Sequence, residues 1–314
     1  MKKIIFTFLI LFLIIYSIFF PEITVNAARN GIQTWFHQIL PALLPFTILS
    51  SILVKSNILN SFKGNANLMA VILTMSCGFV FGFPIGAKLS ADFYKHGLLT
   101  KSQASLLAIA TNNFSPVYVC GFALSLLFAS KEYNSITYLF LYLIPLGILT
   151  IYLLIITKKH INEPISTETN ISHKKPTSTF HLDMQVMDAG IISGFESLIK
   201  ICGYIVLFSI ITELLINTLA SISLVSSFPL TLLIGNLEIS NGISLLSECE
   251  IASSWKYIAT IQLLSFGGVS GIAQTSSILS DAKLSVPKYI IGKAILSLLL
   301  TLLSVIYVFF SHLH

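Results

Sequence analysis

Apolar stretches recur along the whole chain, at about 4–20, 38–54, 66–90, 104–128, 135–157, 190–217, 224–246, 257–280 and 287–311. A helix needs about 20 apolar residues to cross a bilayer, so this pattern predicts an all-α polytopic membrane protein. Four stretches are interrupted. GFPIGAK (Gly82–Lys88) breaks the first, TNNFSP (Thr111–Pro116) the second, GNLEISNG (Gly235–Gly242) the third and SFGGVSGIAQTSS (Ser265–Ser277) the fourth. Gly82 and Asn112 are 30 residues apart, and so are Glu238 and Gly268. The spacing predicts an inverted repeat, with two re-entrant helical hairpins (66–90 and 224–246) and two broken transmembrane helices (104–128 and 257–280).

One segment differs from the rest. Residues 157–187 are polar and charged, with too little apolar surface to fold alone. They read as a cytoplasmic linker between an N-terminal half, 1–156, and a C-terminal half, 188–314. His160, His173 and His181 lie on it, but their spacing fits no metal site. The first stretch, behind Lys2 and Lys3, mimics a secretory signal. Its 17-residue length, Ile4–Phe20, and the place it takes in the repeat favour an uncleaved first helix.

Charge tests the topology. Place the N-terminus inside and let both hairpins dip and return. Fourteen basic residues then fall inside: Lys2, Lys3, Lys55, Lys63, Lys88, Lys95, Lys101, Lys158, Lys159, Lys174, Lys175, Lys283, Lys288 and Lys293. Arg29, Lys131 and Lys256 fall outside, and Lys200 lies within a stretch near its inner end. This is the asymmetry of the positive-inside rule. Composition agrees: 55% of the 314 residues are hydrophobic and 10% charged, against about 25% charged in soluble domains. The net charge of +5 serves orientation, so no nucleic-acid partner is expected. The four cysteines form no CxxC pair. There is no P-loop, HExxH or GxSxG, so no enzyme is expected, nor a metal or other cofactor.

Broken backbone in a bilayer persists only inside protein or along a wet cavity. Four matched breaks therefore predict one shared site. In the first hairpin Gly82, Pro84 and Gly86 form the tip, and a helix starting at about Ala87 would offer free N–H groups to an anion. Lys88 adds positive charge there, unless it only snorkels or pairs with Asp92 four residues on. Asn112, Asn113 and Ser115 precede Pro116 and either bind a ligand or repair the backbone. Glu238 is a carboxylate at membrane depth, which costs roughly 2.5–3.5 kcal/mol; it reads as a proton carrier, a cation ligand or a hydroxyl acceptor. Ser240 and Asn241 share its break. Ser270 and Gln274 flank the last break, where small residues also suit close helix packing.

AARNGIQTWFHQILPALLPF (Ala27–Phe46), GFPIGAKL (Gly82–Leu89), LLAIATNNFSPVYVCG (Leu106–Gly121), GNLEISNG and SFGGVSGIAQ together resemble the YlbJ-type sporulation integral membrane proteins, within the nucleoside-recognition or Gate-domain group. The resemblance covers nearly all the chain. It implies a role in spore maturation, in a membrane surrounding the forespore, and links the chain to delivery of dipicolinic acid. The wider group is similar to concentrative nucleoside transporters, whose hairpin glutamate helps bind substrate; Glu238 stands at a matching place. The first hairpin departs from those transporters, with Phe83–Lys88 where they carry polar and acidic base-reading residues. That argues for an aromatic dicarboxylate over a nucleoside. The expected function is thus secondary transport of a small anion, most simply dipicolinate, by alternating access, coupled to a proton or a sodium ion. A nucleoside or nucleobase carrier and a non-transporting spore-envelope scaffold are the alternatives. The bilayer and the small anion are the expected partners, and homo-oligomerisation is left open.

Overall fold

The computed structural model describes residues 2–56, 66–128, 133–161, 183–220 and 227–311, and every described element is helical. Helix α1 (Lys2–Phe19) precedes α2 (Pro21–Thr34), and the axes of Ile10–Phe19 and Pro21–His37 are bent by 109°. Pro21 opens α2, where its missing N–H costs nothing. A π turn (Trp35–Ile39) carries α2 into α3 (Leu40–Lys55). Residues 21–37, which hydropathy leaves between two apolar stretches, are therefore helix. They are held by packing: Ala27 and Gly31, four apart and buried, face α11 (Met184–Ala220), and the Trp35 indole N–H donates to Leu198 O at 2.9 Å.

Helix α11 is a single 37-residue rod, about 55 Å long. Its Gly190 and Gly194 lie against the backbone of Ile52 and Ile48, so it runs antiparallel to α3 with small residues at the seam.

The first hairpin is α4 (Ala66–Phe81) and α5 (Ile85–Lys95). Then α6 (Lys101–Thr111), started by a reciprocal Thr100–Gln103 capping box, stops at Asn112. The chain resumes at α7 (Pro116–Tyr118), a π segment (Val119–Leu124) and α8 (Ser125–Leu127). Next come α9 (Asn134–Tyr138), a π segment (Leu139–Leu143) and α10 (Ile144–Ile161). The predicted linker is helical at both ends, since α10 reaches Ile161 and α11 begins at Met184; His173 and His181 lie outside the described residues. The second hairpin is α12 (Phe228–Leu237) and α13 (Ile239–Glu248). It is followed by α14 (Ser253–Phe266), α15 (Gly268–Asp281) and α16 (Val286–Ser311).

Among the described residues four helical stretches are long and apolar enough to cross a membrane: Lys101–Leu127, Asn134–Leu153, Met184–Leu219 and Val286–Ser311; the bent pair Ile10–Phe19 and Pro21–His37 makes a fifth if it is one span. Phe8, Ile199 and Phe309 are each more than 60% exposed among many exposed apolar side chains. Such belts belong in lipid. The chain is a multi-pass membrane protein. The ten residues of α12 rise about 15 Å, half of the ~30 Å hydrocarbon core.

Candidate functional site

The first hairpin turns at Gly82, whose φ of +74° suits glycine alone. A Cβ there would strike the backbone of Ser115, and one at Gly86 would come within 2.6 Å of Thr111 O. Gly78 faces Gly86 across the two arms, its Cβ position 3.0 Å from the Gly86 Cα. The tip is thus pressed directly onto the break in the next helix, and the Phe83 N–H donates to Asn113 O at 2.6 Å. The Phe83–Pro84 peptide is cis. Helix α5 starts at Ile85, two residues before the expected Ala87.

The break at Asn112–Ser115 is repaired from several sides, as unwound backbone in a membrane requires. Ser115 caps α7 by accepting the Tyr118 N–H at 3.3 Å. The Tyr142 hydroxyl donates to Phe114 O at 2.7 Å. Asn113 Nδ2 donates to Ala110 O at 2.8 Å and Leu141 O at 3.2 Å. Asn112 reaches the other half: its Nδ2 donates to Thr275 Oγ1 at 3.0 Å and to the Tyr289 hydroxyl at 2.9 Å.

The second hairpin repeats the plan. Glu238 is extended, and its Oε2 accepts the Asn241 N–H at 2.8 Å, capping α13. Gly235 and Gly242 face each other so closely that a Cβ at Gly242 would overlap Gly235. Asn236 and Gln262 exchange amide hydrogen bonds of 3.2 and 2.9 Å, tying α12 to α14. A Cβ at Gly268, in the second break, would sit 3.5 Å from Asn236 O and 3.1 Å from Ile239.

The two halves cross over. Phe83, at the first tip, faces Gly271 on α15. Ser240, beside the second tip, shares a 3.2 Å hydrogen bond with the Tyr118 hydroxyl on α7. Each tip therefore touches the break of its own half and the helix after the break of the other. An aromatic run joins them: Phe83 to Phe114 with ring centroids 6.1 Å apart, then Phe114 stacked on Tyr118 at 4.8 Å.

Lys293 supplies the charge at this junction. It projects from α16, is 1% exposed, and donates to Asn112 O at 3.2 Å and Asn113 Oδ1 at 3.0 Å. Among the described residues no carboxylate lies within ion-pair distance of it. The charge count placed Lys293 among the inside lysines; its side chain is buried in the protein, donating to one backbone oxygen of the break, Asn112 O, and to the Asn113 side-chain oxygen. Lys293 stands seven residues past the start of α16 at Val286, about 10 Å along the helix. Lys88 is buried too, but its Nζ pairs with Asp92 Oδ2 at 2.8 Å. The pair borders a cavity of about 160 Å³ between α5, α11 and α15, also lined by Glu196, Lys200, Gln274 and Asp281. Lys200 and Asp281 form a second, exposed pair at 3.2 Å.

The sequence candidates thus divide by use. Gly82, Gly86, Asn113 and Ser115 serve close packing and backbone repair. Pro84 is buried at the tip, Glu238 and Asn241 meet in a helix cap, and Ser240 joins the halves. Ser270 accepts from Gln274 Nε2 at 3.2 Å. Among the described residues, two buried oxygens, Asn112 Oδ1 and Gln274 Oε1, have no hydrogen-bond partner. Tyr118, Tyr289 and Lys293 belong to the site and were not among those candidates.

Two helical hairpins and two interrupted helices, meeting at a buried polar centre inside an apolar exterior, define a multi-pass helical membrane protein of broken-helix type. The chain is 25% identical to the sporulation integral membrane protein YlbJ of Bacillus subtilis (strain 168), across 90% of its own length and 77% of that protein's. That likeness, running along most of both chains, supports assigning the chain to the YlbJ type. No family model matches the chain, and no solved structure matches it.

Proposed function

We propose that the chain is a secondary transporter of a small carboxylate anion, dipicolinate by its resemblance, acting in sporulation as the name of its B. subtilis relative suggests. In this reading the hairpins are re-entrant, one from each face, and the halves form an inverted repeat. The short α12 and the glycine-paired hairpin arms support that, as does the reciprocal contact of each tip with the opposite half.

One observation carries the anion: Lys293 is buried at the junction with only neutral oxygens as partners. A charge at membrane depth without a counter-charge marks a ligand of opposite sign. A carboxylate arriving there would take the third N–H of the ammonium, a charge-assisted hydrogen bond. The Phe83–Phe114–Tyr118 run offers ring faces to an aromatic body. Alternating access would open the junction to one side and then the other by rocking the hairpin-bearing elements against α2–α3 and α11.

The test is uptake by purified protein in liposomes. Labelled dipicolinate should enter saturably, and excess unlabelled uridine should leave the rate unchanged. Saturable uridine uptake without dipicolinate uptake would establish the nucleoside carrier instead. No uptake of either would favour the scaffold reading.

A further inference from the structure

The geometry points to Lys293 as the carrier of a coupled proton, so that one proton crosses with each anion; this deepens, and rests on, the transport reading above. The argument begins with donors and acceptors. A neutral amine has two N–H groups and one lone pair; an ammonium has three N–H groups and no lone pair. The cradle of Lys293 offers two acceptors, Asn112 O and Asn113 Oδ1. Two acceptors meet both N–H groups of the amine and leave only its lone pair without a partner, whereas the ammonium keeps one N–H without an acceptor and a buried charge without a counter-charge. The unloaded cradle fits the amine; the ammonium fits once an anion supplies the third acceptor and the missing counter-charge.

Among the described residues no carboxylate lies within ion-pair distance of Lys293 to hold that proton instead. The titratable groups on the elements packed against α16 are Lys101 on α6, Lys256 and Tyr257 on α14, Asp281 on α15, and Tyr142 on the π segment Leu139–Leu143. On α16 itself stand Lys288, Tyr289 and Tyr307. The one carboxylate in that set, Asp281, is occupied with Lys200. Glu238 Oε2 is engaged by the Asn241 N–H as a helix cap and makes no ion pair with Lys293.

The cycle balances. With the site open to one side, the Lys293 amine takes a proton from water and becomes ammonium. The anion then binds the third N–H. After the site reopens on the other side, the anion leaves, the proton returns to water there, and the amine is restored. The net transfer is one anion and one proton in the same direction.

The experiment uses the full chain in liposomes with the membrane potential clamped at zero, labelled dipicolinate outside and a pH-sensitive dye trapped within. In the wild type, an inward gradient of one pH unit should raise steady-state accumulation about tenfold, the equilibrium shift for one coupled proton. Each uptake should acidify the lumen, and a sodium gradient should do nothing. In Lys293→Arg, whose side chain stays charged, uptake down the anion's own gradient should persist at a reduced rate while the tenfold accumulation is lost. Wild-type uptake that ignores the pH gradient, or that follows sodium, overturns the proton role and leaves the transport reading standing. Lys293→Arg accumulating like the wild type overturns it as well. If that variant does not fold, lumen acidification in the wild type decides alone. If the wild type moves no dipicolinate at all, both readings fall together.

Discussion

Asn113 is the most heavily used side chain at the junction. Its amide donates twice to backbone, its Oδ1 accepts from Lys293, and its own carbonyl accepts from Phe83. Asn113→Ala leaves two buried carbonyls and the Lys293 Nζ each short of a partner, at about 1–3 kcal/mol for each orphaned group. Ser115→Ala removes one helix cap, worth about 1 kcal/mol. The melting midpoint of the detergent-purified protein should therefore fall much further for Asn113→Ala than for Ser115→Ala; equal shifts would contradict this ordering. The asparagines were legible in the sequence, because amides just before a proline in an apolar helix need an explanation. Lys293 was not. Only five residues beyond Lys288, it reads as another lysine at a helix end, and only the tertiary position of α16 beside the break reveals it.

At the scale of elements, glycine decides the hairpins. Gly78 with Gly86, and Gly235 with Gly242, let the paired arms meet at backbone distance. A methyl group at Gly242 has no room to form, whereas Gly203 on α11 has nothing within 4 Å of its Cβ position. Gly242→Ala should sharply reduce the yield of monodisperse protein. Gly203→Ala should be neutral or stabilising by up to about 1 kcal/mol, since alanine favours helix. Size-exclusion profiles and melting midpoints of the two variants check this. The four breaks could be placed from sequence because glycine, proline and amides punctuate apolar stretches. Helix α2 could not, since its polar surface hides a narrow buried face, Ala27 and Gly31, that only the packing of α11 explains. The start of α5 at Ile85 was missed by two residues because a proline can head a helix as readily as precede it.

At the scale of the molecule, the long rods α2–α3 and α11 form one body, held together along a small-residue seam and the Trp35–Leu198 hydrogen bond. The hairpins and broken helices form a second body around Lys293. Where they meet, apolar side chains pack, with Phe46 of α3 stacked on Phe81 of α4, and beside the 160 Å³ cavity Lys200 of α11 pairs with Asp281 of α15. The exposed Lys200–Asp281 pair is worth little energetically, so it would offer little resistance to the rocking that the transport proposal requires. The central claim is that the two tips line one passage from opposite faces. Cysteines introduced singly at Phe83 and Ser240, in a chain with its four native cysteines replaced, test it directly with a membrane-impermeant maleimide applied to vesicles of either orientation. The account predicts labelling of the two positions from opposite faces, with both protected by saturating dipicolinate. Labelling of both from the same face, or labelling that dipicolinate does not change, would contradict it.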